Sequence, residues 1–90
     1  MRKIAAIAEA HYVTVAPHNP MGPLATAVSA HLAAATPNFK VLEYVLPDAE
    51  TRTRFDHVLL PEDGYLQISD RPGFGIDVDE EALRGDRYVH

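Results

Sequence analysis

The chain has 90 residues, of which 47% are hydrophobic and 23% charged, with a formal net charge of −5 and no cysteine. This length suffices for one small domain or for part of a larger one. The acidic balance argues against a nucleic-acid-binding surface, the lack of cysteine excludes a disulfide scaffold, and no apolar run is long enough to span a bilayer. Glu9 and His11 interrupt the apolar stretch near the N-terminus, so we expect no signal peptide and a cytoplasmic location.

The first predicted elements are a helix and a strand. Residues 2–10 carry apolar side chains at helical spacing, which predicts a helix. The β-branched and apolar residues 13–16 predict a strand covered on both faces, which the prolines at positions 17 and 20 bring to an end. The apolar face of this first helix is expected to comprise Ile4, Ile7 and Ala8.

A second helix is predicted over residues 23–35, where Pro23 follows Gly22 and loses no hydrogen bond at the first helical position. Residues 36–38 end this helix, and residues 39–45 predict a second strand, apolar except for Lys40 and Glu43. The side chains expected to be buried on the second helix are those of Leu24, Ala27, Val28, His31 and Leu32.

Two candidate functional residues follow from this order. A right-handed crossover through the second helix makes the two strands parallel, so His18, just past the first strand, lies at the same end of the sheet as Glu43. Chemistry in parallel α/β sheets is done at the carboxyl ends of the strands. The prediction is therefore a histidine and a carboxylate side by side at the end where active sites form.

The second half of the chain has a different pattern. Residues 46–61 predict a connection rich in charged residues, and residues 65–68 alternate as a strand with one buried face after an Asp-Gly turn. Residues 74–78 predict a further short strand, and Asp79 predicts the cap of a final helical turn. The acidic residues at this helix start lack the spacing and glycine of a calcium-binding loop. His31 is interpreted as a helix-packing residue.

Three segments carry a resemblance to a known family. They are RKIAAIAEAHYVTVAPHNPMGPLATAV at residues 2–28, TPNFKVLEY at 36–44 and EDGYLQISDRPGFGIDVDEEAL at 62–83. In this order they resemble the C-terminal end of enolase-superfamily enzymes of the mandelate racemase/muconate lactonizing type, especially sugar-acid dehydratases such as galactonate dehydratase. The segment around APHNPMGP is the most specific part of the match, and residues 46–61 are the weakest.

The resemblance implies an α/β fold that is the last part of a (β/α) barrel. Residues 1–45 would hold barrel strands seven and eight with their flanking helices, residues 46–61 a connection, and residues 62–90 a tail that returns to an α+β capping domain. Full members of the family are several times longer. The chain is therefore expected to be a truncated or fragmentary form of such an enzyme, whose parent is expected to be a homo-oligomer.

The resemblance also implies a chemistry. His18 matches the strand-seven histidine that acts as base or acid at the carbon next to the substrate carboxylate, and Glu43 matches the strand-eight carboxylate that holds and polarises that end of a sugar acid. Enzymes of this superfamily pair a lysine or histidine base with magnesium, and a histidine is suited to the base role at neutral pH. The magnesium ligands of the family lie on barrel strands that this chain lacks.

Two hypotheses follow. In the first, the chain is the C-terminal fragment of a magnesium-dependent sugar-acid dehydratase, a lyase, and is inactive alone, because two strands cannot close an eight-stranded barrel. Two variants of this hypothesis are a racemase or epimerase fragment of the same superfamily, and one piece of a split enzyme that works together with a separate N-terminal partner. In the second, the chain is a small, acidic, non-enzymatic α/β module that binds a partner through its apolar faces.

Overall fold

The computed structural model describes residues 1–84. The elements in this range are two helices, a short helix, a two-stranded antiparallel pair and a final short helix. Their bounds are α1 Arg2–Ala10, α2 Pro23–Ala34, α3 Ala49–Arg52, β1 Phe55–Asp56, β2 Asp77–Val78 and α4 Glu80–Arg84. Within residues 1–84, no helix has the length and hydropathy that a bilayer-spanning segment requires.

Helix α1 has the predicted bounds, and its end is a closed turn. The Tyr12 N–H donates to the Glu9 carbonyl at 2.9 Å, and the Val13 N–H donates to the Ala8 carbonyl at 2.9 Å. These two bonds form the Schellman arrangement, in which the residue after the cap adopts a left-handed conformation. That residue is Tyr12, with φ 57°, where glycine is the usual occupant.

The two predicted strands of the first half meet, but only at one bridge. Val15 pairs with Phe39 in parallel orientation, and the Lys40 N–H donates to the Val15 carbonyl at 3.0 Å. The prediction of strands over residues 13–16 and 39–45 is wrong in extent, while their parallel orientation is confirmed. Beyond this bridge one further main-chain bond joins the two chain segments, from the Glu43 N–H to the Pro17 carbonyl at 3.4 Å.

Helix α2 buries a different face from the predicted one. It begins at Pro23 after Gly22 and buries Thr26 and three alanines, whereas Leu24 is 45% exposed. Periodicity indicates which residues are apolar but not on which side the rest of the chain lies. The buried alanines are Ala27, Ala30 and Ala33; of the five residues predicted to be buried, Leu24 and Val28 are exposed and His31 and Leu32 are partly exposed.

The predicted connection at residues 46–61 contains two short elements, α3 and β1, that the sequence did not predict. Asp48 caps α3, since its side chain accepts from the Thr51 N–H at 2.7 Å, and this bond holds the pKa of Asp48 below its usual value. Strand β1 pairs with β2 in antiparallel orientation, Phe55 opposite Val78. The connection is therefore tied to the tail through main-chain bonds.

The tail follows the prediction only in part. Residues 65–68 are not a strand, because Tyr65 and Glu62 exchange both main-chain hydrogen bonds across the Asp-Gly turn, at 2.8 and 2.9 Å. The predicted strand at residues 74–78 is reduced to Asp77–Val78. Asp79 caps α4 as predicted, accepting from the Ala82 N–H at 3.0 Å. Residues 85–90 of the predicted tail lie outside the described residues.

The interior of residues 1–84 is made of small side chains. The buried hydrophobic residues are four alanines, while Ile4 and Ile7 on α1 are exposed. The radius of gyration is 14.8 Å, against about 12 Å for a compact domain of this length. The fold is therefore open, with large apolar side chains on its outside. The four buried alanines are Ala5, Ala27, Ala30 and Ala33.

Candidate active site

The two candidate residues predicted from the sequence are in contact. His18 lies in the loop after the Val15 bridge, and Glu43 lies four residues past Phe39 on the paired segment. The His18 Nδ1 atom is 2.5 Å from the Glu43 Oε2 atom. The parallel crossover thus brings the histidine and the carboxylate to the same end of the paired segments.

Asn19 bonds the Glu43 member of this pair at two atoms, and it is not among the candidate residues predicted from the sequence. Its side chain is 2% exposed, and its main-chain N–H donates to the Glu43 Oε2 atom at 2.7 Å. Its side-chain amide donates to the Thr26 hydroxyl at 3.0 Å and to the Glu43 carbonyl at 3.1 Å. An asparagine between a histidine and a proline is a turn-forming signal, which was available in the sequence.

The pair presents free atoms to solvent. The His18 side chain is 79% exposed and that of Glu43 43% exposed. Within residues 1–84, neither the second ring nitrogen of His18, Nε2, nor the second carboxylate oxygen of Glu43, Oε1, has a hydrogen-bond partner. The contact between Nδ1 and the Glu43 carboxylate leaves Nε2 as the ring nitrogen available to a bound molecule. This arrangement can accept a proton at Nε2 from a molecule placed over the pair.

The residues present do not fit a magnesium site. Magnesium demands near-octahedral oxygen ligands, and residues 1–84 contain no group of three or more His, Asp or Glu side chains that could hold a metal ion. The acidic residues near α4 have other partners. Asp77 pairs with Arg71 at 3.2 Å and Glu80 with Arg84 at 3.4 Å.

His31 has the packing role expected of it. Its Nδ1 atom lies 2.8 Å from the Ala27 carbonyl one turn earlier in α2. Its ring meets that of Phe74 edge to face, with centroids 5.6 Å apart. His31 therefore joins α2 to the tail and is not part of the candidate site.

A cavity of about 490 Å³ lies away from the candidate site. It is bounded by the alanine face of α2, the segment after Phe39 and the turn at Tyr65, and neither His18 nor Glu43 lines it. Its walls are mainly apolar, so it offers packing space rather than groups for proton transfer.

Tyr44 anchors the segment that carries Glu43. Its hydroxyl donates to the Leu59 carbonyl at 3.0 Å, and partial burial raises the pKa of this phenol, against the opposing charge of Arg52. The bond joins the end of the paired segment to the chain beyond α3, one residue away from the candidate carboxylate.

Comparison with known proteins places these features in a family. The family described as "Enolase C-terminal domain-like" matches residues 1–82. A protein of Streptomyces bingchenggensis named "D-galactonate dehydratase family member" is 42% identical over 82 residues, which are 89% of this chain and 20% of that protein. The chain thus spans about a fifth of the length of this curated relative.

Solved structures agree with this match. The crystal structure of an enolase from Agrobacterium radiobacter, with bound sodium and L-malate, is 50% identical; its TM-score is 0.89, and the match covers 100% of this chain and 27% of that one. An enolase from Pantoea ananatis with bound D-gluconate and magnesium is 32% identical; its TM-score is 0.84, and the match covers 92% of this chain and 20% of that one. The fold of residues 1–84 is therefore shared with part of these larger chains.

Proposed function

The chain belongs to the enolase C-terminal domain-like family, and on this premise we propose that it supplies one wall of the active site of a sugar-acid dehydratase. The observation that carries the proposal is the contact between His18 and Glu43, whose side chains are 79% and 43% exposed. Relatives named as galactonate and mannonate dehydratases support an aldonate substrate.

His18 is proposed as the proton-transfer group. The hydrogen on the carbon next to a carboxylate is a weak acid, so its removal requires a base that is neutral near pH 7 and positioned on that carbon. Nε2 takes the proton, and the electron pair of the broken C–H bond passes into the carboxylate to give an ene-diolate. The neighbouring hydroxyl then leaves as water with the proton that Nε2 took up, and the enol that remains becomes the keto acid.

Glu43 is proposed to serve both the histidine and the substrate. Its Oε2 atom contacts the His18 Nδ1 atom and so sets where the imidazole lies. Its Oε1 atom faces outward and, when protonated, can donate to the carboxylate oxygen on which negative charge develops. Magnesium would stabilise the same charge, but its ligands would have to come from outside residues 1–84.

The 90-residue chain alone is proposed to be inactive. Support for this comes from the exposure of the pair, since electrostatic and proton-transfer catalysis depends on a site that excludes water.

The test is a chimera in which this chain replaces the matching 27% of the Agrobacterium radiobacter enolase. The chimera is assayed with magnesium against a panel of aldonates and aldarates, and the 90-residue chain alone is assayed beside it. We expect turnover by the chimera, with loss of about a hundredfold or more in kcat/KM for His18→Asn. The matched control, His57→Asn, replaces an exposed histidine outside the site and should keep full activity.

Three results would contradict the proposal. Equal activity of the His18→Asn and His57→Asn chimeras would remove His18 from the chemistry. Turnover by the 90-residue chain alone would refute its inactivity. Exchange of the α-proton with solvent deuterium, without release of a keto acid from any sugar acid, would assign the site to a racemase or epimerase.

A further inference from the structure

We infer that Asn19 and Thr26 are positioning residues that set the Glu43 carboxylate against His18. The inference rests on the proposed function, because a positioned carboxylate matters to catalysis only if the pair acts on a substrate. Neither residue touches the position of the reacting atoms. Their effect on the reaction would pass through Glu43.

Asn19 donates hydrogen bonds to two separate atoms of Glu43. The main-chain N–H of Asn19 donates to the carboxylate oxygen Oε2 at 2.7 Å, and the side-chain amide donates to the main-chain carbonyl of Glu43 at 3.1 Å. A carboxylate held at one atom can swing about its side-chain torsions, but one whose oxygen and backbone are both bonded to the same neighbour has few positions left. The His18 contact uses the same oxygen, so Asn19 also sets where the imidazole is held.

Thr26 in turn sets the orientation of the Asn19 amide. Its hydroxyl accepts from the Asn19 side chain at 3.0 Å, and both side chains are buried. A side-chain amide has two N–H donors, and the Thr26 oxygen and the Glu43 carbonyl take both. Without the hydroxyl, one donor would be buried and unpaired, which favours rotation of the amide away from Glu43. Helix α2 thereby acts on a carboxylate that it does not touch.

The kinetic test uses the chimera described above with three variants. Thr26→Val keeps the shape of the side chain and removes the acceptor, Thr26→Ser restores the hydroxyl, and Thr36→Val removes a hydroxyl that bonds the Leu32 carbonyl at the far end of α2. A positioning role predicts that Thr26→Val lowers kcat by about ten- to a hundredfold, with KM little changed. Thr26→Ser should recover most of the activity, and Thr36→Val should match the parent.

A second measurement requires no turnover. In an ¹⁵N-labelled sample of the 90-residue chain, the main-chain amide proton of Asn19 should resonate downfield, because this N–H donates to the Glu43 carboxylate. The same proton should move upfield in the Glu43→Gln variant. The same upfield movement in Thr26→Val, absent in Thr26→Ser and Thr36→Val, supports the inference.

The two measurements distinguish failure of the positioning role from failure of the proposed function. An active chimera in which Thr26→Val loses no more kcat than Thr36→Val overturns the positioning role and leaves the proposed function standing. An inactive chimera counts against the proposed function, and the Asn19 resonance then decides the positioning alone. An Asn19 resonance that does not respond to Glu43→Gln or Thr26→Val overturns it.

Discussion

Tyr12 shows how one residue can oppose the local structure that surrounds it. It occupies the left-handed position that closes the end of α1, with φ 57°, and its side chain is exposed. A residue with a Cβ atom pays about 1–2 kcal/mol in this conformation, whereas glycine does not. The tyrosine therefore costs stability at this turn without recovering it through packing within residues 1–84.

Replacement of Tyr12 by glycine should stabilise the 90-residue chain. Relief of the left-handed strain, less the greater entropy of glycine in the unfolded state, is expected to raise the free energy of unfolding by about 0.5–1 kcal/mol. Urea denaturation followed by circular dichroism measures the change. Tyr12→Ala is the control, since it removes the same ring but keeps the Cβ atom. A glycine variant no more stable than the alanine variant would contradict the explanation.

At the candidate site, the sequence was sufficient to predict that His18 and Glu43 lie together. It was not sufficient to predict the hydrogen bonds that hold Glu43 in place. The order of strand, loop, helix and strand placed His18 and Glu43 at one end, and they are in contact. Asn19 was missed because its importance lies in three bonds to residues 7 and 24 positions away. No local pattern encodes such bonds, which depend on how the crossover closes in space.

At the scale of elements, α2 shows that an apolar side chain is not always a buried one. Its sequence predicts that Leu24 is inside, yet the side chains that face the rest of residues 1–84 are those of Thr26 and the alanines. Of the residues that periodicity favours, Ala27 is buried and His31 contacts Phe74, whereas Leu24 and Val28 are exposed. Helix bounds, by contrast, depend on local signals such as Pro23 and Asp79, and these were predicted nearly to the residue.

Two substitutions on α2 should change the free energy of unfolding in the opposite order to the one that side-chain hydrophobicity suggests. Ala27 is fully buried, so Ala27→Leu should lower the free energy of unfolding of the 90-residue chain by about 1–3 kcal/mol through overpacking. Leu24→Ala, on the exposed side, should change it by less than about 0.5 kcal/mol. Urea denaturation of both variants checks the order. A larger loss for Leu24→Ala would mean that the predicted face is the buried one.

The strands were the least predictable elements, because a strand depends on the other strands with which it pairs. A strand exists through the bonds it makes to other strands, and residues 13–16 and 39–45 find only each other within residues 1–84. The pairing of β1 with β2 was missed because both are two residues long. Segments this short carry no detectable alternation of apolar and polar residues.

At the scale of the whole molecule, the outer faces are more apolar than the interior. Ile4 and Ile7 form an exposed stripe on α1, while the buried hydrophobic residues within residues 1–84 are alanines. Contiguous exposed apolar surface promotes association. The 90-residue chain on its own is therefore expected to self-associate unless another protein surface covers these faces.

Association of the 90-residue chain should depend on the α1 stripe. The double variant Ile4→Gln/Ile7→Gln should shift the chain toward monomer in size-exclusion chromatography over a range of concentrations. Ala6→Gln, on the same helix and also exposed, adds the same polar group without removing a large apolar side chain and should leave association unchanged. A concentration-independent monomer for the unaltered chain would contradict the expectation and would favour an independently folded module.

The bond between Asn19 and Glu43 joins residues 24 positions apart in the chain, and this separation has a kinetic consequence. Closing a loop of that length costs about 3 kcal/mol of chain entropy beyond a constant term, which is more than one hydrogen bond contributes. Helix α2 forms from contacts between near neighbours and can order first, so the histidine and the carboxylate meet late in folding and separate early in unfolding. Cleavage of one peptide bond between residues 19 and 43 would thus separate His18 from Glu43, although both residues remain unaltered.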